Sequence, residues 1–124
     1  MNTIVTDTGL APDTGIIAFT ELPADTDPAQ LDAFLPKAAL RIPFDSFADG
    51  RGFTLARLLR LRGYRGHLRA SGHVIADQYA MARRSGFDDV EITPDMAERQ
   101  PQDQWLARAN WHQHDYQARM RGTA

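Results

Sequence analysis

The chain has no cysteine among its 124 residues. That excludes a disulfide, a thiolate nucleophile, a cysteine-held iron–sulfur cluster and a thioredoxin-like couple within it. Long hydrophobic runs are missing as well, the longest apolar clusters being four or five residues, against the roughly 18 of a membrane span. The opening MNTIVTDTGLAPDTG lacks the positive start and apolar core of a secretory signal. A cytoplasmic location is expected, with no membrane partner. No nucleic-acid-binding motif is present, and acidic flanks argue against general nucleic-acid affinity.

What is present is an ordinary soluble composition, 43% hydrophobic and 24% charged, in a chain the size of one domain. The formal charge of −2 hides an asymmetry. Residues 1–49 carry a net −6, residues 50–76 carry six arginines and no acid, and residues 77–124 return to −2. The six are Arg51, Arg57, Arg60, Arg62, Arg65 and Arg69. Such a block offers an anion or partner surface, or pairs internally.

The pattern along the chain predicts a flexible, turn-rich segment over 1–15, loose or a marginal hairpin, followed by a single α/β domain over 16–124. GIIAFTEL (15–22) reads as a strand. DPAQLDAFL (27–35) reads as a helix with Asp27 as N-cap and Pro28 at its first position. AALRIPF (38–44) alternates as a strand, an edge or one that ends at Pro43. A helix over about 53–62 follows, stopped by Gly63. HLRAS (67–71), a helix over 73–86 with Ile75, Tyr79 and Ala82 inward, and FDDVEI (87–92) complete a β-α-β-α-β core over 38–92. Residues 94–103 read as a linker, and 104–121 as a tail docking on the domain or on a partner. The expected fold class is α/β, a small three-layer or half-barrel-like domain. Its mainly parallel sheet would have about four strands and helical crossovers.

Ligands of open parallel sheets gather at the carboxyl ends of the strands, where DGRG (49–52) and ASG (70–72) fall. Gly50 and Gly52 would permit positive φ and close approach, with Arg51 adding a guanidinium fork. A dinucleotide fingerprint needs a further glycine at position 55, which is leucine, and no P-loop lysine follows. DGRG is therefore a structural turn with Asp49 or Thr54 capping the helix, or a phosphate or sulfoxy-anion cradle. Asp77 and Gln78 are a second polar pair. Asp77 would ion-pair with Arg69 or Arg57, or act catalytically, and Gln78 would cap a strand end. His73 is a surface histidine or a protonatable anion contact. HQHD (112–115) lacks an obvious third ligand and reads as a solvated tail, so no metal and no cofactor are expected.

The stretch FADGRGFTLARLLRLRGYRGHLRASGHVIADQ, followed by RRSGFDDVEI, resembles a bacterial family termed domain of unknown function 934. The shared pattern is F-x-DGRG-[FY]-[ST]-x-ARLLR-x-RGY-x-G-x-LRA-x-G-x-V-x-x-DQ, then R-x-GFD. The match runs from about Phe47 to Ile92, and DYQ (115–117) resembles the family's ending. The matching polar and glycine positions are Asp49, Gly50, Arg51, Gly52, Arg57, Arg60, Arg69, Gly72, Asp77 and Gln78. Two positions depart from the pattern: His73 stands where members often have an acid, and Ala76 where they have arginine. The resemblance implies an oxidoreductase or accessory protein of sulfite reduction, since the family's genes lie beside those of sulfite reductase. Without a cofactor fingerprint or a catalytic constellation, the expectation is an accessory protein of sulfate assimilation. It would bind sulfite reductase or an electron-transfer partner through the arginine block. The alternative is a small oxyanion-binding enzyme or sensor, Arg51 and Arg69 gripping the anion at the DGRG and SGH loops. A homodimer that completes a half-barrel is compatible with either.

Overall fold

In β4 (Ala39–Phe44), Leu40, Ile42 and Phe44 fall on one face and are buried. The same alternation places Leu68 and Ala70 of β5 (His67–Gly72) and Val90 and Ile92 of β6 (Asp89–Ile92) on that face. The computed structural model describes residues 2–111, so HQHD, DYQ and the rest of the tail lie outside the described residues. β3 (Thr20–Glu21), β4, β5 and β6 are parallel and lie side by side in chain order. Each crossover therefore steps in the same direction, and right-handed crossovers then carry the helices between these strands to one face. This is the connectivity of a half-barrel, with two layers rather than three.

The sheet has six strands, not about four. The four parallel strands are joined by β1 (Thr3–Thr6) and β2 (Gly9–Pro12), an antiparallel hairpin that pairs with β6 through β1. Of the two readings for residues 1–15, loose or a marginal hairpin, residues 3–12 take the hairpin and form one edge of the sheet, with Val5 fully buried. Their sequence shows no clean alternation, since Ile4 and Val5 are adjacent, and its turn residues are equally typical of loops. The strand expected over 15–22 shrinks to two residues, because Ile16 is 84% exposed and only Leu22 reaches the core.

Pro43 sits in β4 without cost. The carbonyl of Arg41 accepts from Leu22 N–H at 2.9 Å, on the β3 side. The backbone of residue 43 faces the same way, and β3 pairs only with Leu40 and Arg41. The missing N–H therefore points at an open edge.

Asp27 caps the 3-10 helix Pro28–Phe34 as expected, its carboxylate accepting from Ala29 N–H at 2.9 Å. α1 (Arg51–Leu61) buries Phe53, Leu55, Ala56 and Leu59 against the sheet, and Gly63 takes φ +92 just past its end. α2 (Tyr79–Ser85) is preceded by a 3-10 turn at Ala76–Gln78 and ends at Gly86, φ +115. Tyr79 and Ala82 are buried as expected, together with Val74 and Ala76, whereas Ile75 is only half-buried.

The predicted linker is helical. α3 (Pro94–Arg99) is capped by Thr93, and α4 (Gln102–Leu106) follows Pro101. Trp105 is 1% exposed and meets Tyr79 edge-on at 6.1 Å. Its indole N–H donates to the Gln100 carbonyl, while the Gln100 side chain accepts from Ala76 N–H at 2.6 Å. The described part of the tail is thus anchored in the core through Trp105.

Candidate functional site

The carboxyl ends of β4 and β5 bring the two glycine loops together. Asp49 accepts from the backbone N–H of Arg51 at 3.1 Å, and Arg51 Nε and Nη2 both donate to the same carboxylate. That pairing holds the Asp49 carboxyl below its ordinary range, the side-chain bonds contributing first and the backbone bond next. The N-cap position of α1 is Gly50, so neither Asp49 nor Thr54 occupies it, and Asp49 reaches the helix only through the first N–H, that of Arg51.

Neither Gly50 nor Gly52 takes a positive φ. Glycine at 52 serves packing instead, since a Cβ there would lie 2.5 Å from the Phe44 ring. Gly72 does take φ +98, and a Cβ on it would lie 2.6 Å from the Phe44 carbonyl oxygen. The same oxygen accepts from His73 N–H. Gln78 clasps the two loops together, donating to the Phe47 carbonyl at 2.6 Å and accepting from Ile75 N–H at 3.1 Å. Asp49, Gly50, Arg51, Gly52, Gly72, His73 and Gln78 are thus neighbours in one rim, most of them occupied in shaping it.

A groove of about 280 Å³ opens beside Arg51, between Asp25, Thr26 and Pro28 on one side and Thr54 and Leu55 on the other. The guanidinium at its edge is paired with Asp49, and Asp25 and Asp45 add further negative field. Arg69 takes no part in this rim. It lies on the helix-free face of the sheet, and His73 is exposed. Asp77 pairs with neither Arg69 nor Arg57 but with Arg108.

The helix-free face carries a connected cluster of charged side chains. Register sets Arg41 beside Arg69 and Arg69 beside Asp89. Arg69 donates to Asp89 through Nε at 2.9 Å and Nη2 at 3.0 Å. His67 meets the same carboxylate at 2.9 Å. Glu91 faces Arg41 at 3.2 Å and takes a bond from the Asn2 amide at 2.7 Å. Arg69, Asp89 and Glu91 are each only 5% exposed. Burial pushes the Asp89 carboxyl up, but the bonds from His67 and Arg69 outweigh it and hold the group below its ordinary value.

Residues 13–19 cover this face. Pro12 and Thr20 stand on opposite edge strands, five strand spacings apart, or about 24 Å. Eight residue steps span at most about 29 Å, so the strap has little slack. Its ends hold it: Asp13 lies 3.7 Å from Arg69, and the Phe19 ring sits 4.4 Å from the Arg69 guanidinium and edge-on to His67.

The arginine block separates into different duties. Arg60 donates to the carbonyls of Tyr64, Gly66 and Gly86 and to Asp88, so it ties together the loops at the amino ends of the strands. Arg62 donates to the Pro28 carbonyl. Arg57 and Arg65 are exposed and pair with no carboxylate among the described residues. With Leu61, 76% exposed, they mark the outward face of α1 and the loop beyond it.

Arg41, His67, Asp89 and Glu91 were not singled out from the sequence. Their signal was there, since in ALRIPF, HLRAS and DDVEI a charged residue alternates with a buried one on three neighbouring strands.

Among the described residues no group of three or more acidic, histidine or cysteine side chains is placed to hold a metal. Among the described residues no helix is long and apolar enough to cross a membrane. No curated protein and no solved structure matches the chain. The sequence profile of one family, described as bacterial protein of unknown function (DUF934), matches residues 20–124. That span takes in β3 to α4, the glycine rim and the charged strands, and the chain belongs to the DUF934 family.

Proposed function

We propose that this protein is an accessory factor of sulfite reduction that acts by docking on sulfite reductase, or on another protein of sulfate assimilation. The docking face is the outward side of α1. The observation that carries this reading is the division of the arginine block. Arg60, Arg62 and Arg69 are spent inside the fold and Arg51 is paired, while Arg57 and Arg65 flank the exposed Leu61. An apolar residue between cations that pair with no carboxylate among the described residues suits an acidic, partly apolar partner surface. The link to sulfite reduction comes from the family's gene neighbourhood. The oxyanion alternative has less support, because Arg51, Arg69, His73 and Gln78 do not converge on one pocket.

The test is co-purification of tagged protein with sulfite reductase from cells grown on sulfate, alongside growth of a deletion strain. Specific recovery of the reductase and slowed growth on sulfate are expected. No recovery together with normal sulfite use overturns the proposal.

A further inference from the structure

We propose that the helix-free face of the sheet is a binding site for a small aromatic carboxylate, occupied in this structure by the protein's own Asp13 and Phe19. The Phe19 ring lies 4.4 Å from the Arg69 guanidinium, 6.0 Å from that of Arg41, and edge-on to His67 at 5.3 Å. Two guanidinium groups and an imidazole therefore border one ring-sized space, an arrangement that attracts the negative face of a π-system.

The acid half of the site is visible in the bonding of Arg69. Its Nε and Nη2 are satisfied by Asp89, but Nη1 makes no hydrogen bond. It has only two long ion pairs, 3.7 Å to Asp13 and 3.6 Å to Glu91. A carboxylate closer than Asp13 would take a charge-assisted hydrogen bond from that nitrogen. The ligand's ring replaces Phe19 and its carboxylate replaces Asp13, so the number of charges on the face is unchanged by the exchange. Glu21, Asp89 and Glu91 remain as the partners that hold Arg41 and Arg69 in place.

The middle of the cover is lightly packed. Between its two anchoring ends, residues 14–18 are all exposed, Ile16 most of all. The strap's attachment to the charged face thus rests on Asp13 and Phe19. This site lies across the sheet from the α1 surface, so it stands or falls independently of the docking proposal.

Calorimetric titration with 2-naphthoate tests it, using the wild type, Phe19→Ala and Phe19→Ala/Arg41→Ala. Phe19→Ala vacates the ring space and is expected to bind 2-naphthoate at least tenfold more tightly than the wild type. Adding Arg41→Ala should lower that affinity about tenfold, and the neutral 2-naphthalenemethanol should bind at least tenfold more weakly than the acid. Circular dichroism establishes that each variant is folded. Should Phe19→Ala fail to fold, Asp13→Asn loosens the other anchor and is expected to tighten naphthoate binding three- to tenfold. Absence of saturable binding in a folded Phe19→Ala or Asp13→Asn variant, or equal affinity for the acid and the alcohol, overturns the proposal.

Discussion

Glycines 50, 52 and 72 sit within one rim and answer to different physics. At Gly50 a Cβ meets nothing within 4 Å and φ is −91°. Gly50→Ala is therefore expected to leave thermal stability unchanged or raise it, by up to about 1 kcal/mol, through the entropy of the unfolded chain. At Gly52 a Cβ would press into the Phe44 ring, and at Gly72 it would meet a backbone oxygen at positive φ. Gly52→Ala is expected to cost about 1–3 kcal/mol and Gly72→Ala at least as much, both read from urea titrations. A melting point for Gly50→Ala as low as that of Gly72→Ala would contradict this division. The sequence made the glycine cluster conspicuous, but spacing alone does not separate a glycine needed for φ from one needed for space. The same limit applies to Asp77, whose partner Arg108 lies 31 residues away. Because that pair is exposed, Asp77→Ala should change stability by less than about 1 kcal/mol.

Elements were legible from the sequence where local pattern and tertiary environment agree. Asp27 with Pro28, the alternation in β4, and the glycine stops at 63 and 86 are cases in which a few residues carry the whole signal. Residues 94–103, read as a linker, were not legible as helical, because proline and polar residues mask α3 and the start of α4, which Trp105 anchors. Truncating that side chain removes a fully buried indole from its contact with Tyr79. Trp105→Ala is expected to destabilise the fold by about 3–5 kcal/mol, measured by denaturant unfolding. A cost below about 1 kcal/mol would show that α4 is only appended.

The parallel strands also set a pH response. Asp89 titrates lower in the folded protein than in the unfolded chain. Its contribution is present above the ordinary carboxylate range, near pH 4, and is lost as pH falls through the folded value. Stability should therefore drop on acidification below about pH 4–5, and Asp89→Asn should flatten that slope even though it lowers stability at neutral pH. An unchanged acid slope in Asp89→Asn would assign the acid response to other carboxylates. Asp7 adds to the same trend. Burial raises its carboxyl, but bonds from Tyr79, Arg83 and Trp111 hold it below the ordinary range.

At the scale of the whole molecule, a sheet with helices on one side and charge on the other separates two surfaces. The helix-free face is closed by a strap that spans nearly its full reach, and the opposite face exposes Leu61 between Arg57 and Arg65. The net charge of residues 50–76 hinted at a basic surface, yet only folding shows that most of that charge is consumed internally. The central claim, docking through the α1 face, is tested most directly by titrating purified sulfite reductase with the wild type and with Arg57→Glu/Arg65→Glu. The wild type should bind saturably, more weakly as salt rises, and the double variant should lose at least tenfold in affinity while keeping the wild-type melting point. A wild type that does not bind, or a folded double variant that binds equally well, would contradict the claim.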